Sequence, residues 1–155
     1  MENVKLTNMC KIINRENGKV LVQERIKSWK GIAFPGGKIN LGESITLSVK
    51  REILEETGLK VSNLKLCGLK NWYDSKTEER YIVFLYKTYD YEGVLIEETN
   101  EVKNYWIKEE ELTKTNLAED FEQVLKIYDE DNFSEMFYKD NKSNDESTRW
   151  ELNFY

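Results

Sequence analysis

The chain has 155 residues, no histidine, two cysteines (Cys10 and Cys67) and a formal net charge of −6. The missing imidazole excludes Ser-His-Asp and Cys-His nucleophile chemistry and every zinc site that needs histidine. The acidic balance argues against a general surface for duplex nucleic acid. Two distant thiols, no apolar leader and no long apolar run are what a cytoplasmic, non-membrane protein is expected to have.

No repeat or linker divides the chain, so residues 1–155 read as one domain. Residues 4–14 and 19–26 are apolar, β-branched runs around Asn17-Gly18, which predicts a hairpin. Residues 27–43 read as loop, with a short strand at Ile32-Ala33-Phe34. Ser44 is a good N-cap for a helix through Thr57, closed by Gly58 at the C′ position. Long strands are expected over 60–72 and 80–89, with Tyr81–Tyr86 as a central strand covered on both faces. Short strands are expected near 93–97 and 102–107. The spacing of Leu117, Phe121, Leu125 and Tyr128 predicts a second amphipathic helix. Phe133–Tyr138, a polar turn over Asp140–Ser147 and the aromatic run from Trp150 to Tyr155 suggest a final hairpin. The aromatic tail fits either core or a homodimer seam. Strands mixed with two separated helices imply an α/β sandwich on a mixed sheet.

Five of the eight glycines and Pro35, the one proline, fall between residues 31 and 58. Backbone irregularity is concentrated there, and so is the expected chemistry. Phe34-Pro35-Gly36-Gly37-Lys38 is a tight turn. Gly36 and Gly37 permit positive φ and close approach of backbone to a ligand, and Lys38 sets a cation beside them. On the following helix Glu52, Glu55 and Glu56 are spaced i, i+3, i+4 and share one arc. Like charges at that spacing oppose the helix, and anions near its C-terminus oppose the macrodipole. A divalent cation turns that repulsion into coordination, and Mg²⁺ prefers carboxylates, waters and substrate phosphate. Arg51 can pair with a neighbouring carboxylate and aim it. The bland alternative for each feature alone is a solvated glutamate face, an ordinary turn or a surface salt bridge.

The joint pattern is more specific. Gly37 is followed by five residues, Glu43, seven more residues, and then Arg51-Glu52-Ile53-Leu54-Glu55-Glu56-Thr57-Gly58-Leu59. That stretch resembles the full signature box of the Nudix hydrolases. The resemblance implies an α/β/α sandwich with a mixed sheet and a loop-helix-loop, and Mg²⁺- or Mn²⁺-dependent hydrolysis of nucleoside diphosphates linked to another moiety. It implies Glu52, Glu55 and Glu56 as metal ligands and the Gly37 carbonyl as a further ligand. It implies Arg51 as the residue orienting a box glutamate, Glu43 as a loop support, and Glu52 as the base or water-positioning residue.

Outside the box the chain resembles the MutT-like branch, including bacterial 8-oxo-dGTP diphosphatases, over Trp29–Gly37, Arg80–Thr88 and Glu101–Trp106. That likeness implies Glu101 as an extra metal ligand or base, with Glu97 and Glu98 as fallbacks, and Arg25 as a phosphate contact beside Gly36, Gly37 and Lys38. Trp29, Trp72, Tyr73 and Tyr81 are candidates for stacking on a purine. The implied partner is a small nucleotide such as 8-oxo-dGTP. ADP-ribose, a nucleotide sugar or a dinucleoside polyphosphate is the alternative within the enzymes. A non-catalytic nucleotide-binding module is the alternative outside them, although such modules commonly lose box glutamates.

Overall fold

A computed structural model describes residues 1–27, 31–115, 117–118 and 120–155. The strands in chain order are β1 (Asn3–Ile12), β2 (Lys19–Arg25), β3 (Ile32–Ala33), β4 (Leu59–Ser62), β5 (Lys65–Asp74), β6 (Glu79–Thr88), β7 (Asp90–Gly93), β8 (Val102–Lys108), β9 (Glu135–Asp140) and β10 (Trp150–Phe154). The helices are α1 (Ile45–Thr57), α2 (Phe121–Asp129) and the short α3 (Glu146–Arg149), with a 3-10 turn at Glu109–Lys114. A five-stranded sheet runs β1-β6-β5-β9-β10, a three-stranded sheet runs β3-β2-β8, and β4 pairs with β7. In the large sheet β1 is parallel to β6 and β5 to β9, while β5–β6 and β9–β10 are antiparallel. The sheet is therefore mixed, as expected.

Strand alternation builds one core on each side. Cys10, Ile12, Leu21 and Tyr86 point to the side covered by Val49 and Ile53 of α1. Val20, Val22 and Leu85 point to the side covered by Phe121, Val124, Ile127 and Tyr128 of α2. Phe133, Trp150, Leu152 and Phe154 pack against this second core, so the aromatic tail serves as core. Cys10 is buried and Cys67 half-buried, both as free thiols. Among the described residues, no helix is long and apolar enough to cross a membrane.

Four expectations change. The Asn-Gly turn forms, closed by the Asn14 amide donating to the Lys19 carbonyl at 2.8 Å, with Gly18 at φ +70°. The two strands then part: β1 pairs with β6, and β2 with β8 and β3. Both strands bury apolar side chains on both faces, and a lone hairpin cannot cover them. The single strand expected over 60–72 is split into β4 and β5 where Asn63 takes φ +49°. Residues 94–97 form no strand. They cross the end of α1, where the Ile96 amide donates to the Thr57 carbonyl at 2.8 Å. The second helix starts at Phe121, because Leu117 bridges to Ile32 of β3 and the Ala118 amide donates to the Ile32 carbonyl at 3.0 Å. In addition, β6 is interior as expected, but Tyr81–Phe84 are half-buried and full burial begins at Leu85.

Candidate active site

Helix α1 sets the site. The Ser44 hydroxyl accepts the Leu47 amide at 3.4 Å, and Gly58 closes the helix at φ +77°. Ser48, Val49, Ile53 and Thr57 form its buried face. At 3.6 residues per turn, Arg51, Glu52, Glu55 and Glu56 are left to line its open side.

Arg51 gathers that side. Its Nε and one terminal nitrogen donate to the two oxygens of Glu43 at 2.7 and 2.8 Å. The other terminal nitrogen donates to Glu52 Oε1 at 2.7 Å and to Glu55 Oε2 at 3.3 Å. A further bond reaches the Lys38 carbonyl at 2.9 Å. This fork uses the fixed planar geometry of guanidinium. The Arg51 hydrogen bonds, then the Asn40 amide, hold the Glu43 carboxyl at about 2. Glu43 and Glu52 in turn push the Arg51 pKa upward.

The glycine turn is held by β1. The Asn8 amide donates to the Gly37 carbonyl at 2.9 Å, and Asn8 Oδ1 accepts the Gly37 amide at 3.2 Å. Asn8 Nδ2 donates to Ser48 Oγ at 2.8 Å, so one buried asparagine joins turn and helix. A Cβ on Gly36 would lie 2.1 Å from the Asn8 carbonyl oxygen, and one on Gly37 would lie 2.2 Å from Glu52 Oε2. Neither glycine has positive φ. Positive φ is therefore not what either supplies, which corrects that part of the expectation; both are needed for close approach to the protein's own backbone and carboxylate. The Gly37 carbonyl keeps a second lone pair free of the Asn8 bond.

Glu52, Glu55, Glu56 and Glu101 line one open cleft of about 410 Å³ with Thr99, Asn100 and Val102. Thr99 Oγ1 accepts the amides of Glu101 and Val102, each at 3.2 Å, and shapes that rim. The fallbacks Glu97 and Glu98 are not in the cleft lining; the Glu98 backbone pairs with that of Lys103 in an isolated antiparallel bridge, and the Glu97 carbonyl accepts the Asn104 amide. Arg25, at the end of β2, lies 3.9 Å from Glu56 Oε1. Burial raises the Glu56 pKa, Gln23 and Arg25 oppose that, and the Glu52 and Glu101 charges add to it. Glu56 Oε2 is buried and has no hydrogen-bond partner among the described residues. Among the described residues, no three acidic side chains already form a cation cage. Arg51 occupies an oxygen of Glu52 and one of Glu55, and carboxylates without a counter-ion repel one another.

Trp72 lines a separate hollow of about 570 Å³ with Lys70, Asp120, Gln123, Tyr138 and Trp150. One face of Trp72 is stacked on Tyr81 at 4.8 Å, and Tyr73 lies against the Arg80 guanidinium. Trp29 lies outside the described residues.

Sequence reading missed Asn8, Ser48, Gln23 and Asn104, all buried and polar. The signal for Asn8, Gln23 and Asn104 was a polar residue inside an otherwise apolar strand run, whereas Ser48 lies on α1. Such residues must find partners inside the fold, and these find the site loops.

A mixed-sheet α/β sandwich, with a glycine turn and a carboxylate-bearing helix facing a glutamate just before a late strand, defines the class. The NUDIX domain family model matches residues 6–128, and the chain belongs to that family. It is 35% identical over 79 residues to the oxidized purine nucleoside triphosphate hydrolase of Danio rerio, covering 50% of this chain and 47% of that one. It is 34% identical over 58 residues to the 8-oxo-dGTP diphosphatase of Haemophilus influenzae, covering 36% of this chain and 43% of that one. The chain thus spans less than half the length of these curated relatives. The crystal structure of a MutT protein from Bacillus halodurans matches with a TM-score of 0.75 at 22% identity, covering 97% of both chains.

Proposed function

We propose that the protein is a divalent-cation-dependent pyrophosphohydrolase of nucleoside triphosphates, with an oxidised purine nucleotide such as 8-oxo-dGTP as substrate. The carrying observation is that the box carboxylates and Glu101 share one cleft in which Glu56 Oε2 has no hydrogen-bond partner among the described residues. An orphaned buried carboxylate oxygen is costly unless a ligand satisfies it. Glu52, Glu55, Glu56, Glu101 and the Gly37 carbonyl are the groups that would hold Mg²⁺ or Mn²⁺, an all-oxygen donor set suited to hard cations. Bound there, the cation supplies charge neutralisation and a water of lowered pKa.

The chain's own residues do the rest. Arg51 fixes the direction of Glu52, so that its second oxygen can orient a water or take its proton. Glu43 locks Arg51 and thereby the turn carrying Lys38. Lys38, on the turn, and Arg25, 3.9 Å from Glu56, are the cations we assign to a polyphosphate. Gly36 serves by letting the turn lie against Asn8 rather than by touching substrate. The hollow with Trp72 is where we place the base. The substrate class follows the names of the two curated relatives. The products are a nucleoside monophosphate and pyrophosphate.

The test is a panel of 8-oxo-dGTP, ordinary dNTPs, ADP-ribose and diadenosine polyphosphates, with Mg²⁺ or with EDTA. The expected result is metal-dependent turnover fastest on 8-oxo-dGTP. Preference for ADP-ribose or a dinucleoside polyphosphate would replace the substrate, and no turnover on any would overturn the activity.

A further inference from the structure

We infer that Asn104, on β8 outside the cleft lining, is a positioning residue that sets the two walls of the cleft against each other. This rests on the cation-site reading above. One wall is the last turn of α1, carrying Glu56. The other is the 96–101 segment, ending in Glu101. Asn104 is 2% exposed and touches both. Its Nδ2 donates to the Glu56 carbonyl at 2.8 Å and to the Ile96 carbonyl at 2.8 Å. Its backbone amide donates to the Glu97 carbonyl at 2.8 Å. Its Oδ1 accepts from Gln23 Nε2 at 3.2 Å, and Gln23 is its cross-strand partner on β2.

One buried amide therefore spends both donors and an acceptor on three different elements. The Glu56 carbonyl is among the last four of α1, which have no partner within the helix. A water could satisfy that carbonyl alone, and a simple cap would need only one bond. The second donor goes instead to the opposing segment, five residues before Glu101. That segment forms no strand and Val94 is exposed; its far end is anchored separately, by the Ile26 amide on the Glu101 carbonyl and the Thr99 amide on the Val102 carbonyl, so its position against α1 is set at Ile96. The Ile96 amide to the Thr57 carbonyl is the adjoining tie. Loss of the Asn104 side chain leaves two carbonyls without partners and loosens the last turn of α1, with Glu56, against the segment that leads to Glu101. Partners behind a ligand shell typically govern 10–100-fold in metal affinity.

The experiment titrates Mn²⁺ by electron paramagnetic resonance, without nucleotide, into the full chain and three variants, and records a thermal melt of each. Asn104→Ala tests the residue. Glu56→Gln tests the underlying cation site. Val20→Ala, at the far end of β2 from Arg25, supplies a matched loss of core stability. Asn104→Ala is expected to weaken Mn²⁺ binding by roughly 10–100-fold, while Val20→Ala binds as wild type at a comparable melting temperature. Asn104→Ala binding like Val20→Ala would overturn the positioning role. Should Asn104→Ala not fold, Asn104→Ser, whose single donor cannot serve both carbonyls, must show the same weakening. If wild type binds no Mn²⁺, or Glu56→Gln binds as tightly as wild type, the cation-site reading fails instead.

Discussion

Two arginines in this molecule each gather three carboxylates, with opposite results. Arg149 is 4% exposed and bonds Asp74 at 2.6 Å and Asp140 at 2.8 Å, with Glu146 at 3.5 Å. Its guanidinium lies over the Trp150 ring at 4.4 Å, and Asp140 also accepts from Ser75. Both oxygens of Asp140 are bonded inside the fold, and the group staples the β5–β6 turn to the C-terminal hairpin. Arg51 has similar bonds but is 26% exposed, and it leaves acid behind. Among the described residues, Glu56 Oε2 has no hydrogen-bond partner and Glu101 forms no salt bridge. A satisfied cluster is architecture, whereas a cluster with acid left over on an open cleft can receive a ligand.

Breaking each cluster should separate these roles. Glu55→Gln or Glu56→Gln should lower hydrolysis by roughly 10²–10³-fold, the scale of losing one electrostatic contribution to the transition state. The melting temperature should hold. Arg51→Lys should follow with a loss of about 10–100-fold, because an ammonium cannot reproduce the fork on Glu43 while reaching Glu52. Circular dichroism should detect no change of fold.

Arg149→Leu should do the reverse, lowering the melting temperature by roughly 5–10 °C with the Mn²⁺ affinity of the cleft unchanged. The same staple sets an acid response. Arg149, above all, holds the Asp140 carboxyl well below its ordinary range, and Asp74 is lowered too. A depressed folded pKa adds stability that is fully present above the unfolded value near 3.9 and is lost as pH falls below it. Acid titration of wild type should therefore lose stability below about pH 4 more steeply than Asp140→Asn does. The smallest effect belongs to Glu98→Gln, which should leave turnover within about twofold, since surface changes away from a site are near neutral.

The site helix was legible because its rules are local. Ser44, the i, i+3, i+4 glutamates and Gly58 sit within one stretch of chain, and the box spacing fixed their neighbours. The strand partners were not legible, because Asn17-Gly18 specifies a turn and says nothing about which strand lies alongside. The second helix began late for the same reason: Leu117 has helical spacing but is claimed by β3. Asn8, Gln23 and Asn104 looked like ordinary polar interruptions of strands. Their meaning depends on contacts 40 to 81 residues away in sequence. Glu101 was named by resemblance, and its place opposite Glu56 required the turn made by Thr99.

The central claim is that the Arg51 cluster and Glu101 perform phosphoanhydride hydrolysis while the Arg149 cluster only holds the fold. The most direct measurement is a ³¹P NMR time course of 8-oxo-dGTP with Mg²⁺, run with wild type, Glu56→Gln and Arg149→Leu at a temperature where all three are folded. The account predicts pyrophosphate release by wild type and Arg149→Leu and almost none by Glu56→Gln. Wild-type release by Glu56→Gln would contradict it.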